Sequence, residues 1–179
     1  MSGSGDRRIL LAHGSGGRLT QELVEQVFGR RFANPLLDRM DDAAILELDG
    51  RLAFTVDSHV VSPIFFPGGD IGRLSLTGTV NDLAMMGAVP LYISAGFIIE
   101  EGLPFADLEK IVSSMAAAAE EAGVDIGAGG TQVAELGAAD PISITTCGIG
   151  SLRDGLVISA STRRPARPPI PPAPDGAAR

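Results

Sequence analysis

Tryptophan is absent, tyrosine occurs once and aromatic residues make up only 4% of the 179 residues, so the core must be built from Ala, Val, Ile and Leu with little aromatic stacking. A single cysteine, Cys147, excludes an internal disulfide and a thiolate metal cluster. That agrees with a reducing compartment, and Cys147 itself reads as a small buried residue in a strand. No apolar stretch approaches the length of a bilayer span, Leu91 to Ile99 being among the longest, and the opening MSGSGDRR holds no apolar run of signal-peptide type. A cytoplasmic protein that stays off the membrane is expected. Basic charge is also scarce: 14 Lys and Arg stand against 22 Asp and Glu, for a net charge of −8. General binding to nucleic acid or to an anionic membrane, which needs clustered cations, is thereby excluded. Local phosphate binding stays open, because backbone amides and metal ions can carry it.

The chain is otherwise 45% hydrophobic with a mean hydropathy of +0.23, as expected of one soluble globular domain, and 23 Gly and 12 Pro mark many turns. Composition changes near residue 150. Residues 151–179 carry five Arg against two Asp and six of the prolines, so this stretch is +3 and residues 1–150 are −11. The reading is a domain over 1–150 followed by a Pro/Arg-rich tail over 151–179 that is extended or disordered.

Within the acidic body, Leu19, Leu23, Val24, Val27 and Phe28 recur at helical spacing and predict an amphipathic helix over 18–31. Alternation in residues 43–48 and 51–57 across Asp49-Gly50 predicts a strand hairpin. A helix over 71–87 closed by Gly87, a buried strand over 91–99, a helix over 105–122 opened by Pro104 and capped by Gly123, and strands near 124–128 and 141–149 follow. The class expected is α/β or α+β with a largely antiparallel sheet.

Two groups of residues carry chemical potential. The segment His13-Gly14-Ser15-Gly16-Gly17 runs into the first helix, where glycines let the backbone approach a ligand and free amides favour an anion such as phosphate. On its own it fits a flexible turn with an exposed histidine equally well. The second group is acidic: Asp41-Asp42, Asp57 and Asn81-Asp82 stand at predicted strand and loop ends, where carboxylates converging on one end of a sheet would hold Mg²⁺. Singly, each acid reads as a turn, cap or solvated residue. Asp82 is the exception, because its neighbours Thr79, Val80, Leu83, Ala84 and Met85 suggest a buried stretch in which an unpaired carboxylate is costly.

The segments HGSGG, MDDAAIL, the run from Phe54 to Gly102 (FTVDSHVVSPIFFPGGDIGRLSLTGTVNDLAMMGAVPLYISAGFIIEEG) and ITTCGIG closely resemble the HypE family of hydrogenase-maturation proteins, over residues 9–150. HypE is one branch of the superfamily of aminoimidazole ribonucleotide synthetase, selenophosphate synthetase and thiamine-monophosphate kinase. The DD, VND and GAxP elements are shared across that superfamily, whereas HGSGG and SPIFFPGGDIG look specific to HypE. The resemblance implies an α+β, aminoimidazole ribonucleotide synthetase (PurM)-like N-terminal domain, with a mostly antiparallel four-stranded sheet flanked by helices and a homodimer that closes a β-barrel. It implies ATP and Mg²⁺ as cofactors, and ATP-dependent dehydration of a thiocarboxamide on a C-terminal cysteine to a thiocyanate, the source of hydrogenase cyanide ligands. Partners implied are the carbamoyl-transfer protein HypF and the HypC–HypD complex. By the same resemblance Asp42, Asp57 and Asp82 are the Mg²⁺ positions, with Asp82 at the reacting centre, while His13 to Gly17, Asn81 and Thr131 contact the nucleotide. Two departures stand out. Where the family has Gly-Asp-Thr-Lys this chain has Gly129-Gly130-Thr131-Gln132, losing an acid and a cation, and the similarity fades into the proline-rich tail where the family continues into a second domain ending at the acceptor cysteine. A C-terminal domain is therefore expected to be absent, and activity of the chain alone to be impaired. Two other readings remain: another ATP-using superfamily member such as selenophosphate synthetase, though the glycine-rich loop lacks its cysteine or selenocysteine, and a non-catalytic dimerisation module.

Overall fold

A computed structural model describes residues 7–39, 41 and 43–152; the tail from 153 on and Asp42 lie outside the described residues, and 151–152 end the last strand. Helical turns run from Arg18–Leu23 (α1) through a wider π-helical stretch, Val24–Gly29, to Arg30–Phe32 (α2), burying Leu23, Val27 and Phe28 as the spacing predicts. Strand β1 spans Leu52–His59, and a small hairpin of β2 (Phe65–Phe66) and β3 (Gly69–Asp70) leads into helix α3, Ile71–Met85. Strand β4 spans Ala88–Glu100, helix α4 Phe105–Ala122, β5 Asp125–Ala134 and β6 Ile142–Leu152. Gly123 ends α4 at φ +67°, a left-handed conformation that favours glycine.

The sheet order is β1-β6-β4-β5: β6 is antiparallel to both β1 and β4, and β4 is parallel to β5. The sheet is thus mixed, antiparallel at two of its three junctions, and the class is α+β. One face packs under α3 and α4 through Ile93, Ala95, Phe97, Ile99, Ile142 and Ile144, which join Leu76, Leu108, Ile111 and Met115 in the core. The other face carries Phe54 and Val56 of β1, which are 70% and 57% exposed.

The expected hairpin across Asp49-Gly50 does not form. Residues 43–48 make no strand; β1 pairs with β6, from Leu52↔Ser151 to His59↔Ile144. Gly50 turns the chain at φ +79°, and Ala43, Ala44 and Leu46 lie beside Phe54, Tyr92, Cys147 and Ile149 on the outer sheet face. The alternation in 43–48 records which side chains lie against the sheet, and it carries no information about a ladder partner. Both final strands are longer than expected, β5 because Gly129-Gly130 masks the strand signal.

Helix α3 is seated closely. Asp70 caps it, its Oδ1 accepting from the amides of Gly72 (2.8 Å) and Arg73 (3.1 Å) and from Ser114 Oγ of α4. Thr79 Oγ1 and Thr146 Oγ1 share a buried hydrogen bond of 2.6 Å, and Thr146 donates onward to the Ser75 carbonyl (3.2 Å), tying α3 to β6. A Cβ on Gly72 would run into the Ile111 carbonyl oxygen of α4. Gly72→Ala is therefore expected to lower stability by about 1–3 kcal/mol, read as a shift in urea midpoint.

Across the outer side of the same helix pair, Arg73 holds the Glu121 carboxylate below the ordinary glutamate range, first through their hydrogen bonds and then through charge. A depressed carboxyl pKa adds stability at neutral pH that is lost as pH falls through the folded-state value. The pair is exposed, so the effect is small. Wild type and Glu121→Gln should differ in urea midpoint at neutral pH and converge on acidification.

Candidate nucleotide and metal site

The acids separate into two places. Thr55, Asp57 and His59 alternate along β1 toward α3, which runs antiparallel beside them. Thr55 Oγ1 donates to Asp82 Oδ2 (3.1 Å), and one turn back on the helix Gly78 lies against His59 and Asp57. Asp57 and Asp82 therefore both border the groove between β1 and α3. Asp82 itself is exposed, and so is Asn81, contrary to the buried setting expected from their neighbours. The buried residues beside them, Thr79 and Leu83, point to the sheet, while Asp82 reaches Thr55 at the edge of β1 and both positions 81 and 82 stay open to solvent.

Asp41 is elsewhere. It pairs with Arg39 at 3.1 Å and borders a depression with Leu37, Ala43, Ala44 and Gly127 to Gly129 of β5, at the opposite sheet edge. Asp42, the third expected metal position, lies outside the described residues.

The glycine-rich segment also sits at the β5 edge. His13 is only 3% exposed, which corrects the solvent-exposed loop histidine: its Nδ1 accepts from the Leu10 amide (2.9 Å) and its ring meets Phe105 edge-on at 5.3 Å. Gly14 lies so close to Val133 that a Cβ there would be 2.5 Å from the Val133 nitrogen. Ser15, Gly16 and Gly17 are exposed, but the Gly16 amide is already committed to Thr20 Oγ1 (3.0 Å). Thr131 is half-buried and paired opposite Phe97, whereas its neighbours Gly130 and Gln132 fall on the outer sheet face. The row His59–Ile144–Phe97–Thr131 crosses the sheet, so three strand spacings, about 14 Å, separate the acid groove from the glycine-rich edge within one chain.

The oxygen donors in the groove suit Mg²⁺, a hard cation that keeps water ligands and shares substrate phosphates. Asp57 accepts from the Ser58 amide through Oδ1 (2.8 Å), its Oδ2 lies 3.2 Å from His59 Nε2, and its side chain remains 43% exposed. Asp82 spends one contact on Thr55 and is otherwise open. Among the described residues no group of three or more His, Cys, Asp or Glu is clustered closely enough to hold a metal on its own. Two acids with open lone pairs suit a cation that takes its remaining ligands from water and phosphate. Cys147 lies in β6, half-buried, its side bordering the outer-face basin of about 260 Å³ that also contains Tyr92 and Ile149. Among the described residues no helix is long and apolar enough to cross a membrane.

Comparison with known proteins places this arrangement. Residues 40–152 match the family described as AIR synthase related protein, N-terminal domain. The carbamoyl dehydratase HypE of Azotobacter vinelandii is 53% identical over 158 residues, 88% of this chain and 46% of the relative. A crystal structure of the hydrogenase maturation protein HypE in complex with ATP superposes with a TM-score of 0.79 at 53% identity, over 80% of this chain and 43% of that one. A HypE in a HypE–HypF complex gives a TM-score of 0.60 at 55% identity, over 75% and 44%. The chain spans about half the length of the curated relatives it matches. It belongs to the AIR synthase related family through its N-terminal domain, and within that family it is a homologue of the hydrogenase-maturation protein HypE.

Proposed function

We propose that this chain is the nucleotide-binding and dimerising half of a cytoplasmic HypE-type carbamoyl dehydratase, which uses ATP to dehydrate a protein-borne thiocarboxamide to a thiocyanate for the cyanide ligands of [NiFe]-hydrogenase. The observation that carries it is the similarity, at 53% identity, to a HypE crystallised with ATP. Phosphorylation of the amide oxygen turns a poor leaving group into a good one, and loss of phosphate completes the dehydration. Asp57 and Asp82, with Asp42, would hold Mg²⁺, whose chemistry here is to neutralise charge on the γ-phosphate. Ser15 to Gly17 cover phosphates, with buried His13 and half-buried Gly14, close against Val133, as the root that fixes the loop, and Asn81 and Thr131 complete the nucleotide contacts. The domain comprises residues 1–150. By the complex its relative forms, the partner is a HypF-type carbamoyl-transfer protein, and the family resemblance adds the HypC–HypD complex.

Binding by this chain is weak in this reading, because a domain of charge −11 repels polyphosphate and position 130 lacks an acid. A Cβ on Gly130 meets no atom within 4 Å, so a carboxylate fits there. Calorimetry with Mg-ATP should show weak binding that Asp82→Asn removes and that Gly130→Asp with Gln132→Lys strengthens, each restored contact contributing roughly 1.5–3 kcal/mol when well placed. Tight binding indifferent to Asp82 would reject the site.

A non-catalytic dimerisation module is the second reading, favoured by the exposed apolar outer face. Phe54 and Val56, beside Tyr92 and Ile149, form a patch that isolated monomers rarely leave in water. Light scattering at low micromolar concentration should give a dimer, and Phe54→Lys should give monomers. Dimerisation without any nucleotide binding would favour the module over the enzyme.

A further inference from the structure

Asp57 is gripped in a way that its own chemistry does not require. Its neighbour His59 is 11% exposed at the side chain, against 43% for Asp57, so the ring occupies the inner end of the groove and the carboxylate the outer end. His59 Nε2 lies 3.2 Å from Asp57 Oδ2, and His59 Nδ1 is buried with no hydrogen-bond partner. In the neutral ring one nitrogen carries the hydrogen. Placed on Nε2, it is donated to Asp57 and leaves Nδ1 as a bare acceptor. Placed on Nδ1, it would leave a buried N–H unpaired and set two acceptors against each other at 3.2 Å. The 3.2 Å approach of Nε2 to a carboxylate oxygen, beside an unpartnered Nδ1, points to the Nε2–H tautomer.

The helix makes room for this pair. A Cβ on Gly78 would stand 2.9 Å from His59 Nε2, 3.4 Å from Cε1 and 3.5 Å from Asp57 Oδ2. Glycine at that turn of α3 opens a slot for the ring. The carboxylate then has the Ser58 amide on Oδ1 and the imidazole Nε2 at 3.2 Å from Oδ2, while the side chain as a whole stays 43% exposed.

We infer that His59 is a positioning residue: its Nε2–H, seated in the slot left by Gly78, fixes the Asp57 carboxylate in the orientation that a divalent cation meets. This rests on the reading of Asp57 as a Mg²⁺ position. Donors behind a ligating group fix its orientation and cut the ordering cost of binding, and their loss weakens metal affinity by about 10–100-fold.

The test is titration of the 179-residue chain with Mn²⁺ alone, following the free ion by electron paramagnetic resonance, with thermal melts run in parallel. Asp57→Asn should abolish the site. His59→Phe, which keeps ring bulk without the donor, should weaken Mn²⁺ binding by about tenfold or more. His59→Gln, whose amide can donate from nearly the same place, should keep most of the affinity. Wild-type binding that Asp57→Asn leaves unchanged, or no binding at all, would defeat the metal reading of Asp57. Loss in Asp57→Asn with full affinity in His59→Phe would leave that reading standing and overturn the positioning role, as would equal loss in folded His59→Phe and His59→Gln. Should His59→Phe not fold, long-range proton–nitrogen spectra of the wild-type imidazole decide independently: the hydrogen is expected on Nε2, and an Nδ1–H tautomer overturns the inference.

Discussion

The close seat of helix α3 is the constraint on which the rest of the site depends. Its backbone lies so near α4 that Gly72 has no room for a methyl, and so near β6 that a Cβ on Gly148 would be 2.6 Å from Thr79 Cγ2. Such proximity is stable only because small residues face one another and the buried hydroxyls of Thr79 and Thr146 satisfy each other and the Ser75 carbonyl. It brings Asp82 within reach of Thr55 and places Gly78 against the Asp57–His59 pair. A helix standing one methyl further out would break the Thr55–Asp82 contact and leave a loose gap around the imidazole.

The chemistry is divided between the two edges of the sheet. The acids that suit a cation lie between β1 and α3, whereas the glycine-rich loop, Thr131 and Asp41 gather at β5. A triphosphate is shorter than the roughly 14 Å between these edges in one chain, so each edge has to be organised by itself. Each edge must hold its groups rigidly, because separation multiplies angular error. That explains why His13, a residue with the chemistry of a base, is spent on packing: buried against Phe105 and bonded to the Leu10 amide, it anchors the loop to the start of α4.

Elements whose local signals agree were legible in the sequence. The helix over 105–122 has a proline before it, an apolar stripe and a glycine at its left-handed end, and it forms as read. Strand β5 was half hidden, since Gly129 and Gly130 weaken β propensity while the ladder to β4 holds them in register anyway. The alternation in 43–48 predicts the wrong partner because a period of two specifies a face and leaves the partner open; β1 pairs with β6, from Leu52↔Ser151 to His59↔Ile144. At the site, Asp57 and Asp82 are readable as candidate acids, but the solvent exposure of Asp82 is not. An apolar neighbourhood in sequence says little about one position on a helix, where adjacent residues point about 100° apart. The roles of Gly78 and of the unpaired His59 nitrogen have no sequence signal at all, because they arise only when β1 and α3 meet.

The segment SPIFFPGGDIG, which looks most specific in the sequence, contributes through structure. The Ile71 amide donates to the Ile64 carbonyl (3.0 Å), Phe65 pairs with Asp70 across the small hairpin, and Lys110 of α4 sits over the Phe65 ring at 5.5 Å. The hairpin thus delivers Asp70 to the start of α3, where one carboxylate oxygen accepts two helix amides and the Ser114 hydroxyl of α4. A cap shared between two helices fixes their relative register as well as the end of one of them. Register of α3 is what sets Gly78 opposite His59 and Asp82 opposite Thr55; a slip of one residue turns both away from β1. The motif therefore acts on the β1–α3 groove from the far end of the helix, by holding α3 in the one rotation that sets Gly78 and Asp82 against β1.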